Sequence, residues 1–164
     1  MIDDERSLPD DAFLRQCRVE TFRGPCPGGQ KRNKTSSGVR ITHLPTGLHA
    51  IATESRSQAT NRANALRQLR LRAAIERRLS VDLATFRAPD WFTTAISTSN
   101  PMYPQVVGVV LDVLAAANWS TADAREVLGV ASRPFTNLLH SDAEMWSLVQ
   151  RERESRGLRA LTST

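Results

Sequence analysis

The stretch that most limits how this chain can fold is Pro27-Gly28-Gly29-Gln30. Gly28 and Gly29 open positive φ and let the backbone approach a partner closely, while Pro25 and Pro27 stiffen the chain ahead of them. The pattern predicts a loop that presents the side-chain amide of Gln30. Basic residues follow at once and indicate a polyanionic partner: Lys31, Arg32 and Lys34. For an isolated Gly-Gly-Gln, the plainer interpretation is a flexible turn with solvated charges.

The residues after this loop carry further motifs in a definite order. They are Asn33-Lys34-Thr35, the run from Ser37 to Leu48, and Ser55-Arg56-Ser57-Gln58 with Asn61 and Arg62. From about Phe13 to Ser80 the chain therefore resembles the catalytic domain of class I peptide chain release factors and of the small rescue factors built on it. One position departs from the family pattern. Cys26 stands where the family usually has Gly, and Pro25 precedes it, which predicts a stiffer entry to the loop.

The resemblance implies a reaction that needs no cofactor. This is hydrolysis of the ester between the nascent peptide and the terminal ribose of transfer RNA, in the ribosomal peptidyl transferase centre. Gly28, Gly29 and Gln30 would be catalytic: the Gln30 backbone N–H would stabilise the tetrahedral intermediate, and its side chain would admit water. Because an amide does not titrate, Gln30 cannot be the general base, and RNA would carry the proton transfers. Family members are commonly N5-methylated on this glutamine, so Gln30 is also the expected modification site.

No other chemistry is indicated by the sequence. It contains no Ser-His-Asp or Cys-His arrangement, no carboxylate pair and no metal-ligand constellation. His43, His49 and His140 are scattered, and we expect them to be structural or to contact RNA. Cys17 and Cys26 fit no metal spacing, which favours a reducing cytoplasm. The acidic first twelve residues are unlike a targeting segment, and no run is apolar enough to span a membrane.

Positive charge is concentrated in the release-factor-like stretch. Residues 13–80 contain fourteen Lys and Arg against three Glu, a net charge of +11, whereas the whole chain carries +5. This excess is more than solubility requires and makes nucleic acid the expected partner, which by the resemblance is ribosomal RNA and transfer RNA. The residues that we expect to contact RNA are Lys31, Arg32, Asn33, Lys34, Arg40, Arg56, Arg67, Arg70 and Arg78.

Periodicity predicts an α+β fold for residues 1–80, with a small sheet and one long basic helix. A helix capped near Ser7 ends near Gln16, a strand covers residues 18–23, and residues 33–38 form a helical turn. Alternation over residues 39–44 and 49–53 predicts a hairpin closed by Pro45-Thr46-Gly47. The long helix is capped by Ser57 or Thr60 and runs to about Arg78, with Leu66, Leu69 and Ala73 on its apolar face.

The remaining residues predict a linker over 81–100 and a helical region over 101–164. Trp91 and Phe92 of the linker are expected to dock on one of the domains. The helical region has four helices, the first beginning at Pro104 and the others capped by Ser120, Ser132 and Ser141. Gly129, with Phe135 and Leu138 six and nine residues later, resembles a helix-turn-helix. Because this region carries a net charge of −1 and its second helix offers only Arg133, protein contact is favoured over DNA reading.

The residues outside the release-factor-like stretch indicate which branch of the family the chain resembles. By the resemblance, we expect no separate domain for reading stop codons in this protein, and the residues from Arg156 to Thr164 are not strongly basic. We therefore expect codon-independent release of stalled peptidyl-tRNA. Residues 101–164 would act as the sensor, by contact with transfer RNA, ribosomal RNA or a partner protein. The alternative is a non-catalytic RNA- or DNA-binding protein, and a more distant third is a transcriptional regulator.

Overall fold

The computed structural model describes residues 8–23 and 37–162. These residues form a three-stranded antiparallel sheet and six helices, which confirms the predicted α+β class. In chain order the elements are α1 (Asp10–Arg15), β1 (Cys17–Phe22), β2 (Gly38–His43), β3 (His49–Ala52), α2 (Gln58–Glu76), α3 (Tyr103–Ala116), α4 (Thr121–Leu128), α5 (Ser132–His140) and α6 (Ala143–Glu154). The chain divides into two compact units, Met1–Ala73 and Ala74–Thr164. This division falls inside α2, whereas the boundaries predicted from the sequence lie after residues 80 and 100.

The sheet of the first unit has the strand order β1-β2-β3. Val19 lies beside Ile41 in the register, and Ile41 lies beside Ala50. Because side chains alternate along a strand, this row faces the core, where Ile41 and Ala50 are buried. The predicted hairpin joins β2 to β3. Its turn contains Gly47 at a φ of 73°, a left-handed conformation that glycine adopts without strain.

The observed strands lie within one residue of their predicted positions, and α2 begins and ends within two residues of its own. The hydroxyl of Ser57 accepts a hydrogen bond from the Thr60 N–H at 3.3 Å, so Ser57 is the cap of α2. Ser7, the predicted cap of α1, lies outside the described residues. The predicted helical turn over residues 33–38 lies mostly outside them as well, and its last residue, Gly38, begins β2 instead.

A single apolar cluster joins α1 and α2 to the sheet. Leu66, Leu69 and Ala73 of α2 are buried as predicted. A three-stranded sheet of this size needs such a helix, because strands without a covered apolar face are marginal in water. The buried members of the cluster are Phe13, Val39, Ile41, Ala50, Ala52, Ala65, Leu66 and Leu69.

The second unit is built around α3, which is apolar and buried along most of its length. Tyr103 begins this helix and is fully buried, with its hydroxyl oxygen 2.7 Å from the Ser141 hydroxyl oxygen. The Ser141 hydroxyl donates to the Leu138 carbonyl at 2.6 Å, so the Tyr103 hydroxyl is the donor to Ser141. A side-chain hydrogen bond therefore ties the start of α3 to the end of α5.

Helices α4 and α5 follow the prediction in outline. Ser120 caps α4, Gly129 makes the turn at a φ of 67°, and Phe135 and Leu138 are buried. Two predicted caps were wrong by one residue. The N-cap of α5 is Ala131 rather than Ser132, and the N-cap of α6 is Asp142 rather than Ser141, whose hydroxyl bonds to Tyr103 and Leu138.

A buried arginine stabilises the end of the second unit. Arg153 is 8% exposed, and burial lowers the pKa of its guanidinium. It donates to the Trp119 carbonyl at 2.5 Å and to the Arg159 carbonyl at 2.8 Å. Asn118 and Trp119 both have positive φ, which is unfavourable for residues other than glycine. Arg153 therefore connects α6 to two segments, the strained turn at Trp119 and the residues around Arg159.

Residues 81–100 contain neither helix nor strand. They are ordered by local hydrogen bonds, such as the one from the Thr85 hydroxyl to the Asp82 carboxylate at 2.9 Å. Phe92 is half-buried, but Trp91 is 43% exposed, so the prediction that both aromatic residues dock was wrong for Trp91. No helix in the described part of the chain is long and apolar enough to cross a membrane.

Candidate functional site

The predicted catalytic loop falls in residues 24–36, which the structure does not describe. Gly28, Gly29 and Gln30 lie there, and so do Cys26 and the four predicted RNA contacts from Lys31 to Lys34. The chain on either side is described. Phe22 of β1 pairs with Gly38 of β2, as the last residue pair of that antiparallel ladder. The described residues on the two sides of this segment therefore lie next to each other at one end of the sheet.

Gly38 is a close-contact position at this point. A Cβ atom on Gly38 would lie 3.0 Å from two carbons of the Phe22 ring and 3.0 Å from the Phe22 carbonyl oxygen. The ring could move aside, but the carbonyl oxygen could move only if β1 shifted. Gly38 therefore allows Phe22 to pack across the strand pair. This contact sets the geometry at the end of the β1–β2 ladder.

Asn61 in the first turn of α2 forms a second connection at the same point. It is completely buried. Its Nδ2 donates to the Ser37 carbonyl at 2.6 Å and to the Ser55 carbonyl at 2.8 Å, and its Oδ1 accepts from the Ser55 N–H at 2.9 Å. Asn61 and Gly38 were part of the sequence motifs but had been given no role. Asn61 lies eight residues before Leu69, on the apolar face of α2, and a polar residue on that face is the signal that could have identified it.

Two of the predicted RNA contacts are exposed in this structure. Arg40 lies on the face of β2 opposite the core, beside Glu20 of β1 in the register. Arg56 is exposed in the bend that precedes α2. Both guanidinium groups are accessible to a polyanion. Arg67 is half-buried on α2.

Arg70 does not match the prediction of an RNA contact. Its side chain is buried, and Nη2 donates to the Leu8 carbonyl at 2.6 Å and to Oδ1 of Asp10 at 2.9 Å. The guanidinium carbon also lies 4.5 Å from the centroid of the Phe13 ring. Arg70 therefore stabilises α1 against α2. Arg67 and Arg70 are three residues apart, and this helical spacing predicts that they share one basic face of α2. Only Arg70 is buried, because it lies against α1.

Arg78 has a structural contact of a different kind. Its guanidinium donates to the carbonyls of Ala74 at 2.6 Å, Arg77 at 2.5 Å and Ile75. The last carbonyls of a helix have no partner within the helix, and a cation is favourable at that end. Arg78 therefore caps the end of α2, and because its side chain is only half-buried, its predicted RNA contact stays a prediction.

His43 has a structural role. It is buried, and its ring stacks on Phe13 with the centroids 5.1 Å apart. Its Nδ1 lies 2.7 Å from the Thr46 hydroxyl oxygen and its Nε2 lies 3.1 Å from Oε1 of Gln16. His49 and His140 are exposed. Across residues 8–23 and 37–162, no three or more His, Cys, Asp and Glu residues come together as metal ligands.

The second unit carries a polar cleft of about 540 Å³. Three arginines and two glutamates contribute to its lining: Arg78, Arg151, Arg156, Glu76 and Glu152. Glu152 accepts a hydrogen bond from Arg156 at 2.7 Å, and the Arg156 guanidinium carbon lies 5.7 Å from the Trp119 ring centroid. Arg151 is exposed at this cleft. The cleft is therefore weakly cationic, unlike the strongly basic first unit.

Comparison with known proteins connects the first unit to one family. The RF-1 domain model matches residues 13–85. Peptide chain release factor 2 of Acidothermus cellulolyticus is 44% identical over 85 residues, which cover 52% of this chain and 22% of that protein. Peptide chain release factor 1 of Albidiferax ferrireducens is 48% identical over 69 residues, which cover 39% of this chain and 19% of that protein. Peptide chain release factor 2 of Treponema pallidum is 56% identical over 55 residues, which cover 34% of this chain and 15% of that protein.

The chain spans about a fifth of the length of these relatives. The family match takes in the second half of α1, the whole sheet, α2 and the segment between β1 and β2. Residues 13–85 of this chain are therefore an RF-1 domain, which it shares with peptide chain release factors.

Proposed function

We propose that this protein hydrolyses the ester of peptidyl-tRNA on the ribosome and so releases the nascent chain. The observation that carries the proposal is the RF-1 domain match over residues 13–85, which contains Gly28-Gly29-Gln30. The relatives that share this stretch are named peptide chain release factors. The paired strands β1 and β2 support it further, since their last residue pair, Phe22 and Gly38, flanks the segment that carries Gln30.

The chemistry of Gln30 fits an ester hydrolysis in which RNA supplies the proton transfers. An amide side chain does not titrate near pH 7, so it can position a water molecule but cannot deprotonate it. A backbone N–H aimed at the developing oxyanion stabilises the tetrahedral intermediate. Gly28 and Gly29 let the backbone come close to the ester, because they lack side chains that would collide with it. Gln30 remains the proposed site of N5-methylation.

RNA contacts would come from the basic loop residues and the accessible arginines of the RF-1 domain. Lys31, Arg32, Asn33 and Lys34 belong to this proposed set, together with Arg40, Arg56, Arg67 and Arg78. Arg40 and Arg56 support the proposal because their side chains are exposed. Attraction to phosphates by such residues is independent of sequence, which suits a substrate made of folded RNA.

The substrate of this activity is a stalled ribosome, and release does not depend on a stop codon. The RF-1 domain model matches residues 13–85, and the described residues beyond that match include helices α3 to α6. We assign recognition of the stalled complex to these helices, by contact with transfer RNA, ribosomal RNA or a protein. The exposed Arg133 of α5 and Arg151 of α6 are available for such contacts.

Release of labelled peptide from purified stalled ribosomes tests the proposal. The complexes carry labelled peptidyl-tRNA over a messenger RNA that ends without a stop codon, with a matched set halted at a sense codon. We expect the wild-type protein to release peptide from complexes that lack a stop codon. Binding without release would favour the alternative, a non-catalytic RNA-binding protein. Release that requires a stop codon would contradict the codon-independent branch.

Deletion of residues 101–164 tests the role of the helices. The apolar cluster of the first unit draws its buried residues from Phe13 to Leu69, so the deletion leaves that cluster intact. We expect loss of binding to stalled ribosomes while amide protection in β2 persists. Unchanged ribosome binding by the shortened protein would contradict the assignment.

A further inference from the structure

We propose that the polar cleft of the second unit binds the phosphate group of a nucleotide, either as a free nucleotide or within an RNA chain. The cleft has a volume of about 540 Å³, and small-molecule sites typically measure about 300–1,000 Å³. All of its lining residues belong to Ala74–Thr164, so the site lies within one compact unit. It is separate from the peptide release proposed above, and its test needs no ribosome.

Arginines from two distant parts of the sequence line this cleft. Arg78 follows the end of α2, whereas Arg151 belongs to α6 and Arg156 follows the end of that helix. The carboxylates of Glu76 and Glu152 also line the cleft. Three arginines and two glutamates leave a net charge of +1, so the lining attracts an anion.

The helix ends beside the cleft have partners for their carbonyl groups. Arg78 donates to three carbonyls at the end of α2. Near the end of α6, Nη1 of Arg156 donates to the Glu152 carbonyl at 2.7 Å. Unpaired carbonyls at these ends would repel a phosphate, because they form the negative end of the helix dipole. The hydrogen bonds weaken that repulsion and leave part of Arg156 open.

The open part of Arg156 is one edge of its guanidinium. Nη1 donates to Oε2 of Glu152 at 2.7 Å and to the Ser155 hydroxyl at 3.1 Å, and the guanidinium carbon lies 5.7 Å from the Trp119 ring centroid. These contacts hold the group in place. Nε and Nη2 donate to no residue within 8–23 or 37–162. Two adjacent N–H donors of this kind can bind two oxygens of one phosphate.

Arg151 supplies a second cation at the cleft. It is exposed, and its side chain makes no hydrogen bond or ion pair with any residue that the structure describes. Binding a phosphate would therefore break no contact of Arg151. Ile75 and Leu148 add a half-buried apolar wall, against which a base or ribose can pack. An apolar wall with a few polar groups is typical of nucleotide-sized sites and favours a nucleotide over a bare phosphate ion.

NMR spectroscopy of the full-length protein tests the proposal. The indole N–H of Trp119 reports on the cleft, because Trp119 lines it and Arg156 lies over its ring. Trp91 and Trp146 are internal controls, since they are not among the lining residues. The probes are adenosine monophosphate, a short single-stranded RNA, and adenosine, which has no phosphate.

We expect at least one phosphate-bearing probe to shift the Trp119 signal saturably at concentrations up to about 5 mM. Adenosine should leave this signal unchanged, and the signals of Trp91 and Trp146 should stay in place. If neither phosphate-bearing probe moves the Trp119 signal, the proposal is wrong. An equal shift with adenosine overturns it as well, because the phosphate would then contribute nothing.

Substitutions separate this site from general attraction to a basic protein. Arg151→Gln and Arg156→Lys should each weaken binding at the Trp119 signal by about tenfold, since lysine keeps the charge but lacks the two-donor edge. Arg87→Gln removes one exposed charge of the same unit outside the cleft, so affinity should stay within about twofold because salt screens distant charges. Equal weakening in Arg87→Gln and Arg151→Gln contradicts the proposal, as does unchanged affinity in Arg151→Gln.

The two phosphate-bearing probes identify the source of the phosphate. Tighter binding of the RNA, lost in Arg151→Gln, assigns the cleft to RNA, whereas tighter binding of adenosine monophosphate assigns it to a free nucleotide. Because the first unit is strongly basic, affinity is taken from the Trp119 signal and not from total RNA binding. A protein that releases no peptide would fail the proposed function, while these signals would still decide whether the cleft binds phosphate.

Discussion

Arg70 of α2 lies across the ring of Phe13 of α1, with its guanidinium carbon 4.5 Å from the ring centroid. The same guanidinium donates to the Leu8 carbonyl and to Asp10. A cation over an aromatic face, with hydrogen bonds to a carbonyl and a carboxylate, is favourable at a buried position. One side chain thus connects α2 to the residues before α1, to its first turn and to its buried aromatic ring.

Replacing Arg70 with Met should lower the free energy of unfolding of the first unit by about 1–3 kcal/mol, because the carbonyl of the half-buried Leu8 loses its charged hydrogen-bond donor. Arg62→Met, at an exposed position of α2, is the control and should change stability by less than about 0.5 kcal/mol. Amide exchange in β2 reports on this unit, because all three tryptophans belong to the other. Equal protection in the two variants would show that the buried contacts of Arg70 are not stabilising.

Gly38→Ala should destabilise the first unit by about 1–3 kcal/mol, since the added Cβ overlaps the Phe22 ring and carbonyl oxygen. Peptide release should fall in parallel, because the strands β1 and β2 flank the segment that carries Gln30. The double variant Gly38→Ala with Phe22→Ala removes the contact with the ring but retains the contact with the carbonyl. It should be less destabilised than the sum of the two single variants, and strict additivity would contradict the clash.

Gln30→Pro removes the backbone N–H that we assign to the oxyanion. We expect release from stalled ribosomes to fall by on the order of 10²- to 10³-fold, equivalent to about 2.7–4 kcal/mol. Gln30→Ala retains the N–H, so its release rate should fall less. Its main defect should be poorer discrimination between water and larger nucleophiles. Single-turnover release with saturating protein measures both variants. Equal losses would refute the role of the backbone N–H.

Arg40→Gln and Arg56→Gln should weaken binding to the ribosome without unfolding the protein, because both side chains are exposed. Each lost phosphate contact should lower the dependence of log affinity on log salt concentration by roughly 0.7–0.9. Arg87→Gln, at an exposed position outside the RF-1 domain match, is the matched control and should leave that slope unchanged. A slope that falls equally in all three variants would argue against a specific RNA surface that includes Arg40 and Arg56.

Tyr103 should make the second unit sensitive to alkali. Burial raises the pKa of its phenol above the ordinary value of 10.0. A raised pKa in the folded state means that the fold favours the neutral phenol. The contribution of Tyr103 to the free energy of unfolding is therefore fully present below about pH 10 and falls as the pH rises further. Tyr103→Phe should be less stable at pH 8, since Ser141 loses its partner, but its stability should fall less above pH 10. Tryptophan fluorescence in denaturant at both pH values measures the difference, and parallel pH profiles would contradict it.

Local pattern was sufficient for the elements of the first unit. The spacing of Leu66 and Leu69 indicated the buried face of α2, and alternation around Ile41 indicated the hairpin. These features follow from the period of a helix or strand and from the burial of apolar side chains, so neighbouring residues determine them. The excess of basic residues over 13–80 and the motifs around Gln30 likewise depend on the sequence alone.

Contacts between distant residues decided what each polar side chain does. Arg67 and Arg70 are three residues apart on one helix, yet only Arg70 is buried, because α1 packs over it. Ser141 was the expected cap of α6, but Tyr103, 38 residues earlier, binds its hydroxyl. A hydrogen-bonding side chain can satisfy any partner that the fold brings within reach, and no local period encodes that partner. The sequence by itself determined the elements and the charge, and the tertiary structure decided which polar groups support the fold and which face solvent.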